Sequence, residues 1–392
     1  MKTNLFLSQE VQQYIQDHLD ANLSQIAFKK SPFEHIEMSD LLTQIESKKK
    51  SKDKLPTWFK TDNILFPKKL SIEQTSSEAC AAYKASLVSG DSLIDLTGGF
   101  GIDCYYFSKS IKQVLHCEMQ QDLSETVALN FTALGVSNID CHTGDSLAYL
   151  TEHPQSWDYI YVDPHRRNDA KEKVFFLSDC APNVPEHLDL LFSRSNNILI
   201  KTSPLLDIQA GLGELRNVKA IHIVALQNEV KELLWVLEKG YTGSIDLVAV
   251  NITKEDTQVF STPLEQESIS TFREPLAYLY EPNAAILKTG KFDAVSQYFD
   301  LAKLHPHSHL YTSDSLIVFS GRSFKIEQVL PYNKQVGKEY LTNLKANVTT
   351  RNFPIKVEEI RKKWKMKDGG DSYLFFTTNI KNERIIIVCS KA

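Results

Sequence analysis

The sequence predicts an α/β protein: a doubly wound parallel sheet at its centre, an N-terminal helical region before it and two small C-terminal α+β modules after it. Three observations carry that expectation. From about residue 92, short apolar strands alternate with helix-like segments, which is the pattern of βαβ units with helices on both faces of a sheet. The length of 392 residues leaves room for two or three domains, each with its own core. The charge is divided unevenly: the net is −5, but residues 321–392 carry 15 Lys plus Arg against 7 Asp plus Glu, a net of +8, leaving −13 for the first 320.

The N-terminal helical region spans residues 1–84. Residues 8–28 place apolar side chains at helical spacing, and residues 40–54 do so before ending in Lys48, Lys49, Lys50, Lys52 and Lys54. Residues 71–89 are Ala-rich, with Ser76 or Ser77 as helix cap and Gly90 where the helix should stop. The sheet domain, 85–262, holds the strands SLIDL, QVLHCE, NIDCHTGD, DYIYVDP, NILIKTSP, AIHIVAL and IDLVAVNI. EVKELLWVLEKG (229–240) fits helix or strand, because an apolar run of this length does not settle its period. Residues 263–320, with LAYLYEP and a helical FDAVSQYFDLAKL, form the first small module, and 321–392 the second.

Composition excludes several classes. Hydrophobic residues make up 42% and charged residues 24%, the balance of a globular chain rather than a disordered one. The longest apolar stretches, such as Ile385–Cys389, are far too short to span a bilayer and the N-terminus has no apolar signal core, so a cytoplasmic protein without membrane partners is expected. Six cysteines without a Cys-x-x-Cys pair encode neither a zinc knuckle nor a disulfide framework. His305, His307 and His309 alternate as strand-borne metal ligands would, but HPHSH reads as an exposed loop, and no metal is expected.

Asp95-Leu96-Thr97-Gly98-Gly99-Phe100-Gly101 follows the first strand and precedes a helix, so backbone there can approach a ligand closely. A dinucleotide fingerprint would need glycine at position 104, which is Cys104, and an acid after the loop rather than Asp95 before it. A carboxylate ahead of the glycines suits a cofactor with a cationic amino-acid end, and S-adenosylmethionine fits. Glu118 ends the second strand, where it can accept from both ribose hydroxyls. Asp145 ends the third, where it can accept from an adenine amino group with Ser146 beside it, or simply cap a helix. Three acids at successive carboxyl-terminal strand ends, where doubly wound sheets bind ligands, mark one site.

The fourth strand ends in Asp163-Pro164-His165-Arg166-Arg167. An Asp163 oxygen and the Pro164 carbonyl can accept from an amine and aim its lone pair at a methyl group; Arg166 and Arg167 can hold a substrate phosphate. Further on, Arg361, Lys362, Lys363, Trp364, Lys365, Met366 and Lys367 mix cations with an aromatic ring, a combination that meets phosphate while stacking on a base.

With those motifs in order, LIDLTGGFGID, Glu118, Asp145 and DPHRR, the chain resembles the class I S-adenosylmethionine-dependent methyltransferases, whose sheet is Rossmann-like. More narrowly it resembles a bacterial family with a C-terminal THUMP-like domain, through EQTSSEACAAYKASL, DLTGGFGID, VDPHRR, EPNAAILKTG and RNFPIKVEEIRKKWKMKDGGDSYLFFTT. That resemblance implies a ferredoxin-like module at about 270–320, a THUMP-like domain at 321–392 and an RNA substrate, tRNA or rRNA; because Cys180 lies in DCAP rather than beside the acidic turn, methyl transfer without a covalent enzyme intermediate is expected. Enzymes that methylate exocyclic amines usually carry Asp/Asn-Pro-Pro and then an aromatic residue, whereas His165 and Arg166 stand at those positions, so the acceptor atom is left open, with His165 as a candidate base-stacking residue. The rival readings are a methyltransferase of a protein or small molecule and a non-catalytic RNA-binding protein on a vestigial methyltransferase fold.

Overall fold

The computed structural model describes residues 3–67, 72, 75–166 and 176–392. They fall into two compact units, residues 1–219 with 232–243, and 220–231 with 244–392.

The first unit opens with helices. The apolar spacing of 8–28 becomes two helices, Gln9–Asp17 and Leu23–Ile26, rather than one. Ser8 caps the first by accepting from the Val11 N–H, and Asn22 starts the second by accepting from Ser24, which satisfies amide groups that a continuous helix would have paired internally. Met38–Lys54 lays Leu41 and Ile45 against Val11, Ile15 and Leu65 in a core of its own. The helix Glu78–Ala85 is capped by Ser77, whose oxygen accepts from Cys80.

The strands follow as β1 (Ser92–Asp95), β2 (Gln113–Glu118), β3 (Ile139–Thr143), β4 (Tyr159–Val162), the short pair β5 (His165–Arg166) and β6 (Cys180–Ala181), β7 (Asn197–Thr202), then β8 (Val218–Leu226), which from residue 220 belongs to the second unit, and β9 (Glu229–Glu238), which from residue 232 belongs to the first. Within this unit the order is β9-β7-β4-β1-β2-β3. β1 to β4 and β7 pair in parallel, as alternating strands and helices demand. β9 runs antiparallel to β7 and settles the ambiguous 229–240 segment as strand. Gln227 and Asn228 just before it both have positive φ, 52° and 65°, the signature of a two-residue turn that reverses the chain without a crossover helix. The chain runs outward from β1 through β2 and β3, then returns to β4 on the other side, so the topological switch point lies between β1 and β4.

The second unit adds β10 (Asp246–Ile252), parallel to β8, and β11 (Thr257–Pro263), antiparallel to β10. A second sheet follows, built from β12 (Thr271–Phe272), β13 (Tyr278–Pro282), β14 (Ala302–Lys303), β15 (Tyr311–Ser313), β16 (Gly321–Pro331), β17 (Asn347–Thr350), β18 (Tyr373–Thr378) and β19 (Arg384–Lys391). Its order is β12-β14-β15-β13-β16-β19-β18-β17. β16 pairs with β13 on one edge and β19 on the other, so the segments 263–320 and 321–392 share one continuous sheet. Alternation along β18 sends Phe375 to one hydrophobic cluster, with Leu279 and Phe324, and Phe376 to another, with Ile360 and Trp364.

The HPHSH segment departs from expectation. His307 is exposed, but His305 is buried. Its Nδ1 accepts from Asn352 at 3.0 Å and its Nε2 donates to the Asn382 side-chain oxygen at 3.1 Å. Two asparagines meet both ring nitrogens, so the histidine is consumed in stapling three segments together. Among the described residues no group of His, Cys, Asp and Glu could hold a metal ion, and no helix is long and apolar enough to cross a membrane.

Candidate functional site

The site is assembled at the carboxyl ends of β1, β2 and β4, and the glycine loop is its centre. Asp95, the last residue of β1, is only 1% exposed. Its Oδ1 accepts from the Thr97 N–H at 2.9 Å and the Thr97 hydroxyl at 3.2 Å, and Oδ2 accepts from the Cys104 thiol at 3.2 Å. Burial pushes its pKa up to about 7, against the opposing Thr97 amide bond. Asp95 therefore shapes the loop from behind. Thr97 passes that constraint on, since its Oγ1 also accepts from the Asp163 N–H at 2.7 Å and ties the loop to the acidic turn.

Two of the glycines are required by the protein itself. A Cβ on Gly98 would lie 2.3 Å from the buried His116 ring, and one on Gly101, whose φ is +78°, would lie 2.6 Å from Phe131. A Cβ on Gly99, whose φ is +53°, would meet only the Thr97 carbonyl oxygen, at an ordinary 3.7 Å, so the left-handed backbone rather than a neighbouring side chain favours glycine there.

Glu118 closes the loop on its far side. Its Oε2 accepts from the Gly99 N–H at 3.2 Å and its Oε1 from the Gln120 N–H at 2.8 Å. Each carboxylate oxygen keeps a second lone pair. Met119 beside it is 71% exposed. The Gly144 N–H donates to the Glu118 carbonyl at 3.0 Å and brings the tip of β3 alongside. Asp145 there does cap the helix Ser146–Glu152, its Oδ1 accepting from Leu147 and Ala148 at 2.8 and 3.1 Å, while Ser146 is buried beneath it.

At the acidic turn, Asp163 has a partner that the sequence did not suggest. The Lys201 ammonium, near the end of β7, donates to its Oδ2 at 2.5 Å. Burial would lower the Lys201 pKa, but Asp163 foremost among nearby charges outweighs it and holds it above the ordinary lysine value. Pro164 is buried and His165 exposed. Only the backbone of Arg166 is described, and Arg167 lies outside the described residues.

Behind the turn sits a charged cluster also missed from sequence. Lys84 donates to Glu232 at 2.9 Å, stands 3.1 Å from Asp103 Oδ1 and donates to Ser76 at 2.9 Å. Tyr161 donates to Asp103 Oδ2 at 2.9 Å. The available signal was a lysine on the buried face of an Ala-rich helix and another inside an apolar strand, since buried lysines demand partners.

In the second unit the basic helix Val357–Trp364 is only partly free to bind. Trp364, expected to stack on a base, is buried instead: it packs in the core with its ring filling the space a Gly337 side chain would need. The spacing Ile360 to Trp364 puts both on one helix face, and that face is inward. Arg361 pairs with Asp368. Lys363 lies 4.9 Å over the Trp364 ring and donates to the Tyr332 hydroxyl at 3.2 Å. Lys362 and Lys365 are exposed.

A glycine loop at a switch point, an acid at the next strand tip and an Asp-Pro turn beside them define a Rossmann-like chain of the methyltransferase type. Residues 321–391 match the model of a THUMP domain-like family and residues 278–319 that of a ferredoxin-like domain. The crystal structure of a Porphyromonas gingivalis W83 protein provisionally named a methyltransferase is similar over 99% of this chain and 98% of its own, with 31% identity and a TM-score of 0.89. The chain belongs to that family, a methyltransferase sheet followed by a ferredoxin-like module and a THUMP-like domain. An Escherichia coli protein, also provisionally named a methyltransferase, matches 45% of this chain and 91% of its own at 16% identity and a TM-score of 0.33. An rRNA methylase from Streptococcus thermophilus matches 41% and 94% at 13% identity and 0.30. No curated protein matches the chain.

Proposed function

We propose that this methyltransferase uses S-adenosylmethionine and acts on RNA, tRNA or rRNA, in the cytoplasm. The observation that carries the cofactor reading is the Gly99–Glu118 contact at 3.2 Å, because it sets a carboxylate against bare glycine backbone at the strand ends where doubly wound sheets bind ligands. Glu118 would accept from the ribose hydroxyls, Asp145 through its second oxygen from the adenine amino group, and the 97–101 backbone would hold the amino-acid end. S-adenosylmethionine would supply an electrophilic methyl group there. Asp163 and Pro164 would position the acceptor, and orientation of this kind contributes roughly 7 to 11 kcal/mol in favourable cases. Arg166 and Arg167 would meet a substrate phosphate. On the THUMP-like domain, Lys362 and Lys365 are exposed cations that would meet phosphate, with Arg361 and Lys363 placing the helix.

Calorimetric titration with S-adenosylmethionine, its demethylated product and NADH tests the cofactor. The first two should bind and NADH should not; a folded chain that binds NADH in their place overturns the reading. Glu118→Ala should weaken S-adenosylmethionine binding roughly tenfold or more, the loss of charge-assisted hydrogen bonds worth about 1.5 to 3 kcal/mol. Unchanged affinity removes Glu118 from the site.

Lys362→Glu with Lys365→Glu tests the RNA reading without touching the sheet that β13 and β16 share. RNA affinity should drop, and the slope of log K against log salt should flatten by about 1 to 2, with cofactor affinity unchanged. An unaltered slope places the RNA surface elsewhere.

A further inference from the structure

The hydrogen-bonding polarity of the acidic turn narrows the acceptor atom, given the RNA methyltransferase reading above. β4 and β7 are parallel neighbours, with Val162 opposite Ile200, so Asp163 and Lys201 emerge side by side. The Asp163 side chain is 34% exposed and that of Lys201 16%. Lys201 occupies Oδ2 of Asp163, and Thr97 occupies the Asp163 backbone N–H. Among the described residues this leaves one carboxylate oxygen, an acceptor, with an ammonium, a donor, beside it.

The ammonium is fixed as a donor. Asp163 is its hydrogen-bond partner among the described residues, and the charges of Glu232 and Asp103 act on it from behind along with that of Lys84. Held above its ordinary pKa, Lys201 stays protonated at neutral pH and cannot take a proton from a substrate.

Three kinds of RNA atom can be set against this acceptor–donor pair. An exocyclic amine brings two N–H donors and a lone pair delocalised into its ring, so one donor would face the Lys201 donor. A ring nitrogen has a single lone pair, and accepting from Lys201 would leave none for the methyl group. A hydroxyl has one donor and two lone pairs. It can donate to Asp163, accept from Lys201 and still attack.

We propose that the chain methylates a hydroxyl oxygen, the ribose 2′-hydroxyl of its RNA, with Asp163 and Lys201 as the catalytic pair. The free lone pair of the hydroxyl oxygen forms the bond to the methyl carbon. The carbon–sulfur bond breaks with its electron pair staying on sulfur, which loses its positive charge. The hydroxyl proton passes to the free oxygen of Asp163 and from there to solvent, leaving a 2′-O-methyl ether.

The test is to incubate the full chain with methyl-labelled S-adenosylmethionine and total RNA from cells lacking its gene, then digest the RNA and locate the label by mass spectrometry. Label in the sugar fragment, with alkali-resistant labelled dinucleotides, is the expected result. Label in a base overturns the hydroxyl assignment and leaves the RNA reading standing, whereas RNA that takes up no label overturns both. Lys201→Met should lower kcat on the order of 10²-fold, as loss of one positioned polar group can, with binding of the demethylated product unchanged. Lys201→Arg should recover part of the rate by restoring a donor cation. Full turnover in a Lys201→Met chain that still binds the demethylated product removes Lys201 from the pair.

Discussion

Lys84→Met should destabilise the first unit by about 3 to 5 kcal/mol, the range for breaking a buried ion pair from one side. Its side chain is 0% exposed, and the carboxylates it serves, Glu232 and Asp103, are 3% and 11% exposed. Methionine matches the volume of the lysine stem, so the loss is electrostatic rather than a cavity. Burial alone would lower the Lys84 pKa, but Asp103 and then Glu232 more than reverse it and hold it above the ordinary value. A group raised in this way contributes its full stability below its unfolded pKa, so the effect is complete at neutral pH and fades only as pH rises through the folded value. The check is denaturant unfolding of the single variant beside Lys84→Met/Glu232→Gln. The double variant should recover part of the loss, because it no longer buries an unpaired carboxylate at 232. An unchanged midpoint for the single variant rejects the assignment.

That cluster also shows what could and could not be read in the chain. β1 to β4 were legible because each is a short apolar run between polar turns, and every parallel strand needs its own crossover. β9 was not, since an apolar run buried in a sheet carries no period, and only the turn at Gln227–Asn228 decides it. Glu118 and Asp163 were legible because strand ends are local features. Their partners were not: Lys201 meets Asp163 only because β7 lies next to β4, and Lys84 meets Glu232 across 148 residues of sequence. Position in the sheet order, rather than residue type, creates those contacts. The Trp364 expectation failed for a different reason. The run of cations around it dominates the composition, whereas the apolar spacing from Ile360 marks the ring as part of the inward face. That Asp95 heads the glycine loop is legible, yet a carboxylate at a strand end can point outward or inward, and only the hydroxyl and thiol donors of Thr97 and Cys104 determine which.

Gly98→Ala should act on the cofactor site through His116. The added methyl would stand 2.3 Å from His116 Cδ2 and 2.4 Å from Nε2, far inside contact distance, so either the ring or the loop must move. The ring has little room: it is fully buried, its Nε2 donates to the Gly99 carbonyl at 3.1 Å, and its edge meets Phe131 at 5.9 Å and 82°. Overpacking of this kind costs about 1 to 3 kcal/mol. Because Gly99 takes part in both the His116 and Glu118 contacts, a displaced loop should also weaken S-adenosylmethionine binding roughly tenfold or more. Removing the obstruction provides the control. Gly98→Ala/His116→Ala should be more stable than the two single losses added together predict, with a coupling of about 0.5 to 3 kcal/mol between touching residues. Additive losses would mean that the loop accepts the methyl by a route other than the ring. The imidazole gives a second readout: burial lowers its pKa from 6.5 to about 4, so the unfolded chain binds the extra proton and His116 draws stability down as pH falls between those values. His116→Ala should remove that part of the acid sensitivity, and an acid limb that does not change would show that the ring is not held neutral beneath the loop.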